Sequence, residues 1–314
     1  MTSETVCTTP STPASETAPV SGWERFCFAS LRLVLYVMAR CLTLPGLYRF
    51  GQFFGALEWM INYRRRRRFA ETVRGLMGDA LSDSEIRAAA RRQFMRVRCD
   101  KIIYLIFDLL PPEKTIHRWE LRNRELLDES LARGKGVYLS LSHHGTQQIT
   151  GLMLALLGYK VAGVRDSREG SIRRYIQSMY ERCYPELQKV RIIYSDAFPR
   201  DIYRCFQNNY VLGSSLDVHR ERDARLKYVD VTFFGQSRKF LVGTVQIALR
   251  CGAPILQVFL TTERDFRYRA EILGPLTDRP DEPETPEVLQ KIMQRYADNI
   301  ENFLRRHPEE ISRI

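Results

Sequence analysis

Two adjacent histidines, His143 and His144, follow the apolar run GVYLSLS (136–142) and precede Gly145 and Thr146. The unperturbed pKa of imidazole lies near neutral pH. A histidine at such a place can therefore take a proton from an attacking hydroxyl and pass it to a leaving group. A histidine used as a base is commonly oriented by a carboxylate at its other ring nitrogen. Here the residue five places beyond His143 is Gln148, whose amide oxygen can accept a hydrogen bond but brings no charge. The first acidic candidate to replace it is Asp217, at the end of YVLGSSL (210–216). A purely structural reading has the pair as loop histidines capping the helix that follows. Two of them beside a glycine, at a strand-to-helix turn, give the chemical reading equal weight.

The elements that must hold these residues alternate. Helices are expected at 123–133, 147–157, 170–182 and 199–208, with strands at 136–142, 160–164, 190–194, 210–216 and 227–234. A helix over LVGTVQIALRCG then leads to strands 254–261 and 266–273, and an amphipathic helix spans 286–306. Short β-runs separated by helices predict an α/β fold, a mostly parallel mixed sheet flanked by helices. Such sheets bind ligands outside the carboxyl ends of their strands, which is where His143 and Asp217 fall. Further upstream, Ser82 or Asp83 caps a helix whose buried face is expected to carry Ile86, Ala89, Phe94, Val97, Ile102 and Leu105, and Pro111-Pro112 ends it.

At 314 residues, 44% of them hydrophobic, the chain is long enough for one large domain with appendages. Residues 1–21 are rich in Ser, Thr and Pro and are expected to form a disordered tail. Residues 22–63 are apolar and aromatic, interrupted by Arg32, Arg40 and Arg49 and broken at Pro45-Gly46. No uninterrupted apolar run reaches the roughly 20 residues of a spanning helix. Two short membrane-seated helices with a break at Pro45 are therefore expected, with long arginine side chains snorkelling to the interface. Residues 64–314 then form the α/β domain. The net charge of +11 calls for an anionic partner, and its densest run, Arg64–Arg68, adjoins the aromatic segment as at a cytoplasmic membrane face. Aromatics interleaved with basic residues on a sheet, as nucleic-acid binding needs, are not seen. Seven scattered cysteines without a Cys-x-x-Cys pair suggest free thiols, mostly buried, and neither a zinc site nor a disulfide framework. His117 and His307 are assigned to structure. His219 lies in a charged turn, where Arg220, Arg222 and Arg225 either bind phosphate or are simply solvated.

The stretch GKGVYLSLSHHGTQQ (134–148) resembles the first block of the lysophospholipid acyltransferase superfamily, most closely its lipid A lauroyl/myristoyl acyltransferase branch. That block carries a His-x-x-x-x-Asp/Glu signature, so His143 falls on its catalytic histidine, Gly145 on its glycine and Gln148 on its acidic position. LTLPGLYRFGQFFGALEWMINYRRRRRFAETVRGLM resembles the branch's membrane-anchoring N-terminus, and VAGVRDS its second block. LGSSLDVHRERDARLKYVDVTFFGQSRKFLVGTVQIALRCGAPILQVFL resembles its third, and QRYADNIENFLRRHPEE its last helix. The asparagine-proline pair after the second block and the closing tryptophans are missing.

The resemblance, over about residues 40–310, implies a glycerolipid acyltransferase-like fold and no cofactor. It implies a reaction in which a fatty acyl chain passes from a thioester, on acyl carrier protein or CoA, to a hydroxyl of a phosphorylated lipid or glycolipid such as a lipid A precursor. It places the chain at the bacterial inner membrane with the catalytic domain on the cytoplasmic face; oligomeric state is left open. His143 would be the base, with Gln148 or Asp217 as its orienter. Substrate contacts would come from His144, Gly145, Arg165, Arg220, Phe234 and Gly235, Arg165 meeting the acceptor phosphate. In a serine-protease triad, exchanging the aspartate for asparagine lowers turnover by about 10⁴. Gln148 thus leaves three possibilities: a recruited acid, a slow enzyme, or a relative that binds lipid or carrier protein without catalysis.

Overall fold

The computed structural model describes residues 20–165, 170–194, 199–217 and 226–312. Most of the expected tail, with His219, Arg220, Arg222 and Arg225, lies outside them.

The chain opens with α1 (Gly22–Ile61), capped by a reciprocal pair in which Ser21 Oγ accepts from Glu24 N–H and the Glu24 carboxylate accepts from Ser21 N–H. It is two helical segments joined at Thr43 (φ 61°, ψ 169°). The break expected at Pro45 therefore falls two residues earlier, because proline constrains the residues before it and lacks the N–H that would continue the ladder. Among the described residues this is the one helix long and apolar enough to cross a membrane by length and composition. Its buried positions, Arg32, Leu35 and Ala39 in the first segment and Leu47, Gly51 and Gly55 in the second, recur at three- and four-residue steps within each segment and face α3 (Asp83–Leu105). The approach is close: a Cβ on Gly55 would lie 2.4 Å from Met95 Cα. The opposite face leaves Trp23, Phe26, Leu33, Val37, Phe53 and Met60 exposed.

Arg32 departs from the snorkelling expected of it. Its guanidinium is buried between α1 and the end of α3, donating to the Leu105 carbonyl and, at 2.8 Å, to Asp108 Oδ2. Both side chains are nearly inaccessible, at 8% and 5% exposure. Removing one partner strands the other charge in a low-dielectric interface, so Arg32→Met is expected to destabilise the fold by about 3–5 kcal/mol. Chemical denaturation in detergent checks this.

The basic run lies on α2 (Tyr63–Met77), where Arg65 pairs with Glu58 and stacks over Phe94, while Arg64, Arg67 and Arg68 are exposed. Next come α4 (Pro112–Ile116), β1 (Trp119–Arg122), α5 (Arg124–Leu131), β2 (Val137–Leu141), α6 (Gln148–Leu156) and β3 (Val161–Arg165). They are followed by α7 (Ser171–Cys183), α8 (Pro185–Gln188), β4 (Arg191–Tyr194), α9 (Arg200–Gln207) and β5 (Val211–Ser215). The hairpin β6 (Tyr228–Phe233) and β7 (Gln236–Leu241) precedes α10 (Gly243–Cys251), β8 (Ile255–Thr262), β9 (Tyr268–Leu273) and α11 (Pro286–Arg306).

The main sheet has seven strands in the order β1-β9-β8-β2-β5-β3-β4, parallel except for the β8–β9 pair. This is the expected α/β fold with a mostly parallel mixed sheet between helices. The strands alternate between two cores, as a period of two requires. Val137 and Leu139 of β2 pack with α6 and α7 on one face, and Tyr138 packs with α10 and α11 on the other. Neither β1 nor β7 was anticipated. The first is four residues long, and the second, QSRKFL, is polar because it pairs only within its hairpin. The six described cysteines are free, but Cys27, Cys41 and Cys183 are exposed, against the expectation of mostly buried thiols. Two of them ride on the uncovered side of α1.

Candidate active site

β2 and β5 are neighbours in parallel register, with Leu141 opposite Ser215 at their carboxyl ends. Each chain then runs two residues further, to His143 and Asp217. That equal overshoot sets the two side by side. The His143 backbone N–H donates to Asp217 Oδ2 at 2.8 Å. The ring Nδ1 lies 2.8 Å from the Asp217 carbonyl oxygen and 3.1 Å from its Oδ1. From this point the chain leaves in opposite directions. β2 feeds α6 on one face of the sheet, whereas β5 leads through the hairpin to α10 on the other. Such a switch opens a crevice between the two strand ends.

The charge on this pair is set by what surrounds it. Burial by itself raises the Asp217 carboxyl, but the hydrogen bonds from His143 and the electrostatic pull of its ring outweigh it and hold the group below the ordinary carboxylate range. Its side chain is 9% exposed, whereas that of His143 is 41% exposed. An anion is thus kept inside with its imidazole partner at the surface. With Nδ1–H directed at Asp217, Nε2 is the nitrogen that carries the lone pair.

His144 differs from its neighbour. Its side chain is 1% exposed, with Nε2 3.5 Å from Asp217 Oδ2. Burial depresses its pKa to about 4, against the pull of Asp217, so it is uncharged at neutral pH. His144 was expected as a substrate contact; the strand-end geometry turns its ring inward, behind the carboxylate.

Gly145 holds the turn at φ 66°, and a Cβ there would lie 2.9 Å from Glu310 Oε2 and 3.1 Å from the Leu260 carbonyl oxygen. Glu310, just after α11, is buried, which pushes its carboxyl up to about 7 despite the adjacent Arg96. Ser312 in turn donates through Oγ to the His143 carbonyl. The two-histidine turn is therefore backed by the carboxyl-terminal segment.

The remaining expected residues are dispersed. Gln148 is exposed in the first turn of α6, and the acidic group at His143 Nδ1 is Asp217. Its neighbour Gln147, not expected to matter, accepts a 2.7 Å hydrogen bond from Ser215 Oγ and ties the turn to β5. Arg165 ends β3 at the level of Ser215, so it shares the sheet edge with the dyad roughly 10 Å, two strand spacings, from β2. Its guanidinium donates to Gln177 Oε1 at 3.2 Å. Phe234 and Gly235, with φ of 50° and 72°, form the two-residue turn of the β6–β7 hairpin. Arg305 of α11 lies over the Phe234 ring. Among the described residues no group of three or more His, Cys, Asp or Glu is arranged to hold a metal ion.

Tyr296 of α11 escaped notice in the sequence. Its hydroxyl lies 2.6 Å from the Leu141 carbonyl oxygen and 3.0 Å from Asp217 Oδ1. Its only sequence signal was its place in an amphipathic helix, which said nothing of a polar partner 79 positions away.

A sequence model described as bacterial lipid A biosynthesis acyltransferase matches residues 24–311, nearly the whole chain. No curated protein matches significantly.

Proposed function

Because the chain belongs to the bacterial lipid A biosynthesis acyltransferase family, we propose that this acyltransferase moves a fatty acyl chain from an acyl carrier protein or CoA thioester to a hydroxyl of a phosphorylated glycolipid of the lipid A precursor type. His143 Nε2 accepts the proton of the acceptor hydroxyl as its oxygen attacks the thioester carbonyl. The tetrahedral adduct collapses with cleavage of the carbon–sulfur bond, and the imidazolium returns the proton to the departing thiolate. Asp217 fixes the ring through Nδ1 and stabilises the transient cation. The observation that carries this reading is the hydrogen-bonded His143–Asp217 pair, a buried carboxylate behind a half-exposed imidazole.

In this reading Asp217 does the work of the acid that Gln148 replaces, and the non-catalytic alternative loses its main support. Gln148→Glu is then expected to change acyl transfer by less than about threefold, since a surface carboxylate in the first turn of α6 adds little to a base already oriented. A rise of tenfold or more would mean that residue 148 faces His143 during turnover.

Arg165, and Arg220 beyond the described residues, contact the acceptor phosphate, and the Phe234–Gly235 turn borders the lipid. The exposed apolar side of α1 seats the protein on the cytoplasmic face of the bacterial inner membrane, with Arg64, Arg67 and Arg68 on anionic headgroups. Packing of α1 against α3 along both of its segments favours helices lying in the interface over a single span. Basic charge also favours an acidic carrier protein as donor. The test is mass spectrometry of phosphorylated lipids from membranes with and without the protein. A species carrying one more acyl chain should disappear in its absence, and an unchanged acyl inventory would refute the proposal.

A further inference from the structure

We infer that Tyr296 is a positioning residue for acyl transfer, acting through Asp217; the inference rests on His143 being the base. Tyr296 stands at the centre of the buried face of α11, among Ile292, Met293, Ala297 and Ile300, and none of it is exposed. A hydroxyl at such a position costs stability unless it is hydrogen-bonded. This one meets three groups, all from the two strand ends that make the site. It accepts from the Leu216 N–H at 3.3 Å. The Leu141 carbonyl oxygen lies at 2.6 Å and Asp217 Oδ1 at 3.0 Å. A phenol has one proton to give, so it is shared between the end of β2 and the carboxylate that follows β5.

Sheet pairing between β2 and β5 stops at Leu141 and Ser215. Beyond that point no ladder holds the strands together, yet His143 and Asp217 must keep their contact. The Tyr296 hydroxyl bridges that gap. It also fixes Asp217 in rotation. With Oδ1 held by the phenol and Oδ2 by the His143 N–H, the carboxylate cannot swing away from Nδ1. The helix is itself held in place, because the Tyr296 carbonyl oxygen accepts from Gln257 Nε2, and Gln257 Oε1 accepts from Asn299 Nδ2. Phe240 packs edge-on against the ring. Tyr296 is too deep to touch substrate, so its influence passes through the carboxylate.

The test is a double-mutant cycle on the full-length protein, read as kcat and KM for acyl transfer. Tyr296→Phe keeps the ring and removes the hydroxyl. It is expected to lower kcat about 10- to 100-fold, the loss of one hydrogen bond to a charged group, with KM within twofold. Added to Asp217→Asn, it should cost less than about threefold more, because a group that acts through Asp217 has nothing left to act on. A merely structural hydroxyl would give losses that multiply, and that result overturns the inference. So does a Tyr296→Phe enzyme within twofold of the parent. If Asp217→Asn itself is near the parent, Asp217 does not orient the base and the inference fails, whereas a parent-like His143→Ala would sink the base reading on which it rests. If Tyr296→Phe does not fold, 3-fluorotyrosine in place of Tyr296 keeps shape and hydroxyl while strengthening the donor. A change in kcat of at least about twofold at constant KM is then expected, and no change overturns the inference.

Discussion

Replacing His143 by alanine is expected to lower acyl transfer about 10⁴-fold or more while leaving the fold intact. In the proposed mechanism the imidazole is the group through which the proton leaves the acceptor hydroxyl and reaches the thiolate. Among the described residues no other side chain near the strand ends is placed to do this: His144 is inside, uncharged, and turned toward Asp217. His143 is half exposed, so its removal opens no core cavity. His144→Ala should behave the other way, with transfer reduced by only about tenfold and stability clearly lowered, because it empties a buried site and removes a neighbour of the carboxylate. A pH series adds a check. The folded pKa of His144 lies below its unfolded value of about 6.5. Its contribution to stability is therefore present above that pH and is lost as the pH falls from about 6.5 toward about 4. The gap in Tm between parent and His144→Ala should narrow over that interval. Equal loss of transfer from the two alanine variants would assign the base to the wrong histidine.

Asp217→Asn is the second large effect, a fall in kcat of about 10³- to 10⁴-fold with KM little changed. The carboxylate accepts from the His143 backbone and faces the ring Nδ1, so it sets both where the imidazole sits and which nitrogen carries the proton. Asparagine keeps the shape but offers an amide in place of one oxygen and has no charge to balance the imidazolium. Its NH₂ can meet Nδ1 as a donor, which leaves the wrong tautomer for a base at Nε2. Steady-state kinetics with the substitution at 217, beside Gln148→Glu, separates the two orienters. A parent-like rate for Asp217→Asn would return the role to the loop after His143.

Much of this was open to reading from the residues. GVYLSLS followed by His143, Gly145 and a helix marked a strand end with proton chemistry, and the alternating runs from 123 to 306 located nearly every helix and inner strand. Those features are local: a period of two, a period near four, a cap or a proline. β1 and β7 were missed because four residues, or a polar hairpin arm, carry too little periodicity to stand out. Arg32 was misread for a related reason. A charge within an apolar helix suggests a membrane surface, and only the fold reveals the Asp108 carboxylate 76 positions away.

The divide between sequence and structure runs through the active site itself. By itself the sequence determined the order of most helices and inner strands, the strand end bearing the histidines, the basic and aromatic amino-terminal segment, and the glutamine at position 148. Tertiary structure alone decided which histidine faces outward, that Asp217 stands behind it, and that Tyr296 closes the strand ends together. Each of those depends on β5 lying beside β2 with a register that ends at Leu141 and Ser215. Register between strands some 70 residues apart is set by the whole core packing at once, and no stretch of chain carries it alone.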